Sequence, residues 1–214
     1  MSIKNSFQVI RVTAVFLLLC TGMVMAGSLA DFRDGQEYFR NGQTYKTVKI
    51  GTQTWMAENL NYKSDNSWCY ENNAANCQKY GRLYTWERAM TACPDGWHLP
   101  GDNEWQTLYD YVYANNGEER VSTSLKSVRG WWRYEDLATG GTDRFGFSAL
   151  PAGYRDYHDY DGYFDDDGIY ANFWSATEYG STFANYWRLS YAGEDVFTRY
   201  TNKNFGFSVR CLKD

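Results

Sequence analysis

The spacing of apolar positions changes several times along the chain, and each change marks a predicted element. From Tyr45 the stretch YKTVKIGTQTWMAENL alternates: Val48 and Ile50 share one face, Gly51-Thr52 supplies a turn and Trp55 returns, which predicts a strand pair. In GRLYTWERAMTAC, Trp86, Ala89, Met90 and Cys93 recur at i, i+3, i+4 and i+7, so a helix is predicted there, with Thr85 as its N-cap. Pro94 and Gly96 close it, and Pro100-Gly101 prepare a second helix. Glu104, three residues past Gly101, stands where it can cap the new N-terminus. Trp105, Leu108, Tyr109 and Val112 form the second stripe, which Asn115-Asn116-Gly117 ends. CPDGWHLPGDNEW (93–105) is therefore a helix-to-helix corner.

Beyond the second helix the periodicity weakens. Residues 118–172 are rich in Gly and Asp and carry aromatics without a stripe, so a long irregular region is predicted; loops of this length are usually functional or mobile. Short strands return at FWSAT (173–177), NYWRLSY (185–191), DVFTRY (195–200) and FGFSVRCL (205–212). Ala192-Gly193-Glu194 and Asn202-Lys203-Asn204 read as their turns. A strand pair, two helices, long loops and an antiparallel meander give an α+β order. Before all of these, FRDGQEY (32–38) is repeated at once as FRNGQTY (39–45), a local duplication suited to a hairpin.

The start of the chain bears on where it works. Residues 1–26 hold Lys4 and Arg11, an apolar run from Val12 to Cys20, and Val24-Met25-Ala26 before Gly27, which predicts a secretory signal peptide. The run is shorter than the roughly 20 apolar residues a membrane span needs, and no later stretch comes closer, so no transmembrane segment is expected. A lipidated Cys20 would need a small residue before it, and Leu19 stands there. Residues 27–44 then form an N-terminal extension and 45–214 one domain. Removing the signal takes two positive charges from a net charge of −5, so a basic surface for nucleic acid is not expected.

Cys20 leaves with the signal, and Cys69, Cys77, Cys93 and Cys211 remain. An even number in an exported chain argues for disulfides. Three pairings are possible; Cys69 and Cys77 enclose only the polar YENNAAN and pair with each other, which leaves Cys93 with Cys211.

Several segments, VKIGTQTWMAENLNY, GRLYTWERAM, CPDGWHLPGDNEW, ALPAGYR, FWSATE and NFGFSVRCLKD, stand in the order of a known family. Over about residues 33–214 the chain resembles the Fibrobacter succinogenes major paralogous domain. The resemblance implies a C-type lectin-like fold, shared with formylglycine-generating enzymes, with a disulfide from the second helix region to the last strand, where Cys93 and Cys211 sit. Gly101 departs from the Ser or Thr cap more usual in that family. The resemblance implies exported or surface-associated proteins and no established reaction, and a fold alone does not supply a site.

The chemistry-bearing residues do not assemble into a catalytic pattern. His98 and His158 lie far apart and without zinc-ligand spacing, a disulfide sulfur provides no thiolate, and no Gly-x-Ser-x-Gly elbow occurs. The copper-binding cysteine pair of formylglycine-generating enzymes has no counterpart, because Cys211 is the only cysteine after Cys93. In RDYHDYDGYFDDDG, Asp-x-Asp-Gly occurs at 159–162 and 165–168. Asp159, Asp161, Asp165 and Asp167 are therefore candidate calcium ligands, against the plainer reading of a solvated acidic loop; neither copy completes an EF-hand, and the Glu-Pro-Asn or Gln-Pro-Asp sugar motif is absent.

The tryptophans divide as well. Trp55, Trp86, Trp105 and Trp187 fall on stripes and are expected in the core. Trp131, Trp132, Tyr134, Tyr157, Tyr160 and Tyr163 lie in the irregular region, with Tyr154 among them, and are candidates for stacking on sugar rings; the same rings could instead pin a long loop to the domain. The expectation is a non-catalytic, secreted, cell-surface or periplasmic binding or adhesion module for a polysaccharide or a surface protein. A structural role in the cell envelope or an extracellular assembly is the alternative, and an enzyme of unknown type ranks third.

Overall fold

The computed structural model describes residues 36–38, 42–117, 119–132, 140–158, 162–192 and 196–214. The expected signal peptide (1–26) lies outside the described residues, as do Tyr134, Asp159, Tyr160 and Asp161.

The chain opens with strands β1 (Gln36–Tyr38), β2 (Thr44–Ile50) and β3 (Gln53–Met56). β1 pairs with β2 through Glu37 and Tyr45, so the end of the first repeat copy lies against the end of the second. The expected boundary at 44/45 falls inside β2, and Gln36–Tyr38, from the expected extension, pair into the sheet. β2 and β3 turn at Gly51-Thr52, as predicted. Gly51 has φ 63°, and an added Cβ would stand 2.8 Å from the Tyr111 ring, so only glycine fits.

Next come β4 (Ser67–Trp68), a 3₁₀ turn (Tyr70–Asn72), helix α1 (Ala74–Tyr80), β5 (Leu83–Tyr84), α2 (Trp86–Ala89), β6 (Trp97–His98), α3 (Asp102–Asn115) and α4 (Val121–Leu125). α1 was not predicted; Asn73 caps it by accepting from the Ala75 N–H at 3.0 Å. The helix expected from Trp86 to Cys93 ends after one turn. Past Met90 its hydrogen bonds tighten to i→i+3, from Thr91 N to Arg88 O and from Ala92 N to Ala89 O. Met90 is therefore exposed. α3 matches its predicted stripe, with Trp105, Leu108 and Val112 buried, and Glu104 accepts from the Gly101 N–H at 2.8 Å.

The last third holds β7 (Ala152–Arg155), β8 (Phe164–Asp167), β9 (Tyr170–Tyr179), β10 (Phe183–Ser190), β11 (Phe197–Asn202) and β12 (Leu212–Lys213). One sheet runs β1-β2-β3-β12-β6 and a second β11-β10-β9-β7-β8, while β4 and β5 form a small pair. Helices and mostly antiparallel strands together make an α+β architecture. FGFSVRCL, expected as the fourth strand of a meander, does not form one, and only its last residue enters a strand, β12 of the first sheet. Most of it threads between the sheets, exchanging hydrogen bonds with Tyr84, donating to Asn172 O and receiving from Trp174, Leu60 and Met56.

The core is aromatic. Trp105 lies 4.8 Å from Trp55 and 5.8 Å from Trp187, and Trp174 lies 4.6 Å from Phe207. Trp86 is also buried, as its stripe predicts. Both disulfides form as paired from the sequence, Cys69 with Cys77 and Cys93 with Cys211. Two disulfides fit an oxidising, extracellular environment. Among the described residues no helix is long and apolar enough to cross a membrane.

Candidate functional site

The irregular region is held from below by two buried cations. Arg210 is fully buried; its guanidinium donates to Asn59 Oδ1 at 2.7 Å, Met56 O at 3.0 Å, Ser148 O at 2.8 Å and Phe147 O, and lies 4.5 Å from the Phe147 ring. Burial pulls its pKa down to about 9, with Asp143 and Glu58 opposing. Lys126, 1% exposed, donates to Ser190 O at 3.1 Å and Tyr191 O at 3.4 Å, and burial brings its pKa down to about 8. Such groups add to the apolar packing of Trp131, Phe147 and Ala149, because each charge takes carbonyls that would otherwise be buried unpaired.

Lys126 also divides the two candidate tryptophans. Its Nζ stands 4.9 Å from the Trp131 ring, whose Nε1 donates to Ser127 Oγ at 3.2 Å, and Trp131 is 6% exposed within the core. The expectation of Trp131 as an exposed stacking ring is corrected: its apolar area is spent on the core, where it pins the loop. Trp132 faces the other way. Its backbone N–H donates to Gly168 O at 2.8 Å, while its ring is 56% exposed, 6.2 Å from Tyr191.

The β7–β8 hairpin carries the remaining candidates. Tyr163 is 47% exposed and its hydroxyl donates to Asp165, the largest cause of its raised pKa. Tyr157 is half-buried, stacked on His158 at 4.2 Å and edge-on to Phe205 at 5.4 Å. Tyr154 packs against Phe205 and Phe207. Among the described candidates the exposed rings are thus Trp132 and Tyr163.

The acidic residues do not converge among the described positions. Asp165 takes the Tyr163 hydroxyl and the Asp166 N–H, and Asp167 interacts with Tyr70, whose pKa is raised first by burial and then by that carboxylate. Burial and Asp165 hold the Asp166 pKa up, with Arg188 opposing. Among the described residues no group of three or more His, Cys, Asp or Glu side chains could hold a metal ion. Asp159 and Asp161 lie outside them.

Both histidines have carboxylate neighbours. His98 Nδ1 is 2.6 Å from Asp214 Oδ1 and its Nε2 2.8 Å from Glu104 Oε1; burial lowers its pKa, but the two carboxylates raise it further, to a net value above 6.5. Since Glu104 also caps α3, His98 ties the helix start to the C-terminal strand. His158 pairs with Asp156 at 2.5 Å on the surface. A polar groove of ≈ 430 Å³ lies between β2 and α1, lined by Tyr45, Glu58, Asn61 and Gln78 among others. Its walls are largely bonded to each other: the Tyr45 hydroxyl donates to Gln43 at 2.8 Å and accepts from the Asn61 N–H at 2.9 Å.

Sequence reasoning missed a second group of exposed rings. Tyr179, Phe183 and Tyr200 meet on β9, β10 and β11, with Tyr179 and Tyr200 stacked at 4.0 Å. Their segments read as strands, but which rings stay uncovered depends on register and on the reach of α3.

The model of one family, described as the Fibrobacter succinogenes major domain, matches residues 48–213. No curated protein and no solved structure matches the chain.

Proposed function

We propose that this chain, which belongs to the Fibrobacter succinogenes major domain family, is an exported, non-catalytic binding or adhesion module that recognises a polysaccharide or a surface protein. The observation that carries this reading is the division at 131–132: one tryptophan locks the loop into the core and its neighbour presents its ring to solvent. An indole held by a pinned backbone gives contact area at low ordering cost, which suits recognition. Tyr163 is a second exposed ring among the described candidates. The two disulfides agree with export, and a C-type lectin-like architecture, with Cys93–Cys211 as its long-range link, is part of the proposal.

Calcium at the acidic loop is a separate arm of the same test. Residues 27–214 are passed over insoluble plant polysaccharides, with calcium and with chelator in parallel, as native chain and as Trp132→Ala and Tyr163→Ala. Retention that falls in the variants supports the loop as the binding surface, and retention lost in chelator adds the metal. Unchanged retention in both variants overturns the loop assignment. A stable homo-oligomer with Trp132 buried would instead favour a structural role in the envelope or in an extracellular assembly.

A further inference from the structure

The outer end of the second sheet carries an aromatic surface that owes nothing to the irregular region. Residues paired across a ladder share a face, as do residues two apart along a strand. Tyr179 pairs with Phe183, and Asn185 pairs with Tyr200, so these four side chains share one side of the sheet. Further along β10 the same side carries Trp187, paired with Phe173. There α3 covers it: Trp105 lies 5.8 Å from Trp187 and 5.7 Å from Phe173.

The helix begins at Asp102, whose carboxylate takes Asn185 Nδ2 at 2.6 Å and Ser175 Oγ at 2.5 Å. Past that point α3 has no more residues to lay on the sheet. The aromatic side therefore emerges uncovered, with Tyr179 53%, Phe183 41% and Tyr200 55% exposed.

These rings are held in place. Tyr179 and Tyr200 lie nearly parallel at 4.0 Å and 13°, and Phe183 meets Tyr200 edge-on at 6.1 Å and 82°. Lys203 clamps the β9–β10 turn beside them: its Nζ pairs with Glu178 at 2.8 Å and donates to Ser181 O at 3.1 Å, and its backbone N–H donates to Thr182 O at 3.0 Å. The carboxylate nearest the rings in sequence is thus neutralised within the molecule. Arg199 pairs across the ladder with Tyr186 and so shares the opposite side.

We propose that Tyr179, Phe183 and Tyr200, a packed ring cluster open to solvent, form an aromatic contact surface for a neutral, extended polysaccharide whose pyranose rings carry equatorial linkages. Such rings present flat C–H faces that gain dispersion contact on an aromatic surface, while hydroxyls at their rims reach the tyrosine O–H groups and the neighbouring Asn202. Area argues against a protein partner. Three half-exposed rings offer on the order of 300 Å², from about 150–250 Å² for a whole aromatic side chain, against roughly 800 Å² per partner in a stable protein interface. The inference rests on the binding-module reading but not on the loop region.

The test is titration calorimetry of the full chain with cellohexaose and with xylohexaose, together with retention on insoluble cellulose. Tyr179→Ala and Tyr200→Ala should each weaken at least one of these by about tenfold, the size expected for losing an anchoring ring. Tyr200→Phe keeps the ring and should stay within about threefold, a smaller loss than an anchoring contact costs. Tyr113→Ala, a change at an exposed ring on α3, should bind as the native chain does. If Trp132→Ala removes binding while Tyr179→Ala and Tyr200→Ala bind normally, the platform is overturned and the loop reading stands. If the native chain binds none of the three probes, the platform is overturned together with the polysaccharide arm of the proposed function. A native dimer that Tyr200→Ala converts to monomer would overturn the platform too, by making it a protein contact.

Discussion

The corner at residues 93–105 and the irregular region at 118–172 are both rich in residues that chemistry uses, yet the two put them to different ends. In the corner every such side chain is engaged: Cys93 with Cys211, His98 with Glu104 and Asp214, Glu104 with the Gly101 N–H, and Asp102 with Ser175 and Asn185. In the irregular region the buried members, Lys126 and Trp131, fasten the loop and leave Trp132 and Tyr163 outside. Reactive residue types are thus a poor guide to function when their partners are internal. What the second region offers is area, held by cations beneath it.

The comparison breaks most directly at the disulfides. Cys93→Ser with Cys211→Ser opens a link across 118 residues and should lower stability by about 4–5 kcal/mol in urea denaturation, against about 2.5 kcal/mol for opening Cys69–Cys77. A smaller loss at the long link would show that the corner is held by its polar contacts instead. Next, Trp131→Ala should cost about 3–5 kcal/mol, the range for truncating a buried aromatic. Trp132→Ala should stay within about 0.5 kcal/mol, as surface changes do. Equal thermal shifts for the two would mean the division at 131–132 is mistaken.

The smallest effect concerns His98. Its folded pKa is raised, so its contribution is fully present below about pH 6.5 and is lost as pH rises through the folded value. Being partly exposed, the cluster should contribute under about 1 kcal/mol. Stability measured from pH 6 to 9 should fall more in the native chain than in His98→Gln; parallel profiles would remove the ionic reading of the corner.

Local patterns were readable where the partner of each residue lies nearby in sequence. The Gly51-Thr52 turn, the α3 stripe and the Glu104 cap are of this kind, and all occur. α1 was missed because YENNAAN has no stripe, although Asn73 before Ala74-Ala75 is a capping signal. The stripe from Trp86 to Cys93 overstated its helix, since burial of Cys93 comes from the disulfide and not from helical phase. At the candidate surface, exposure could not be read at all. Trp131 and Trp132 are identical by composition, and what separates them is the core cluster that Trp131 joins. The platform of Tyr179, Phe183 and Tyr200 likewise depends on a register shift between Ala184 and Tyr186 and on where a distant helix begins.

The segment from Phe205 to Leu212 has a further consequence, in the order of events during synthesis. It donates to or accepts from Tyr84, Asn172, Leu60 and Met56, and it supplies both Cys211 and Arg210 to the interior. Arg210 reaches Met56 across 154 positions, so the contacts that tie this segment to the interior form only after it has been made. Contacts this distant in sequence make folding slow and the waiting chain prone to aggregate.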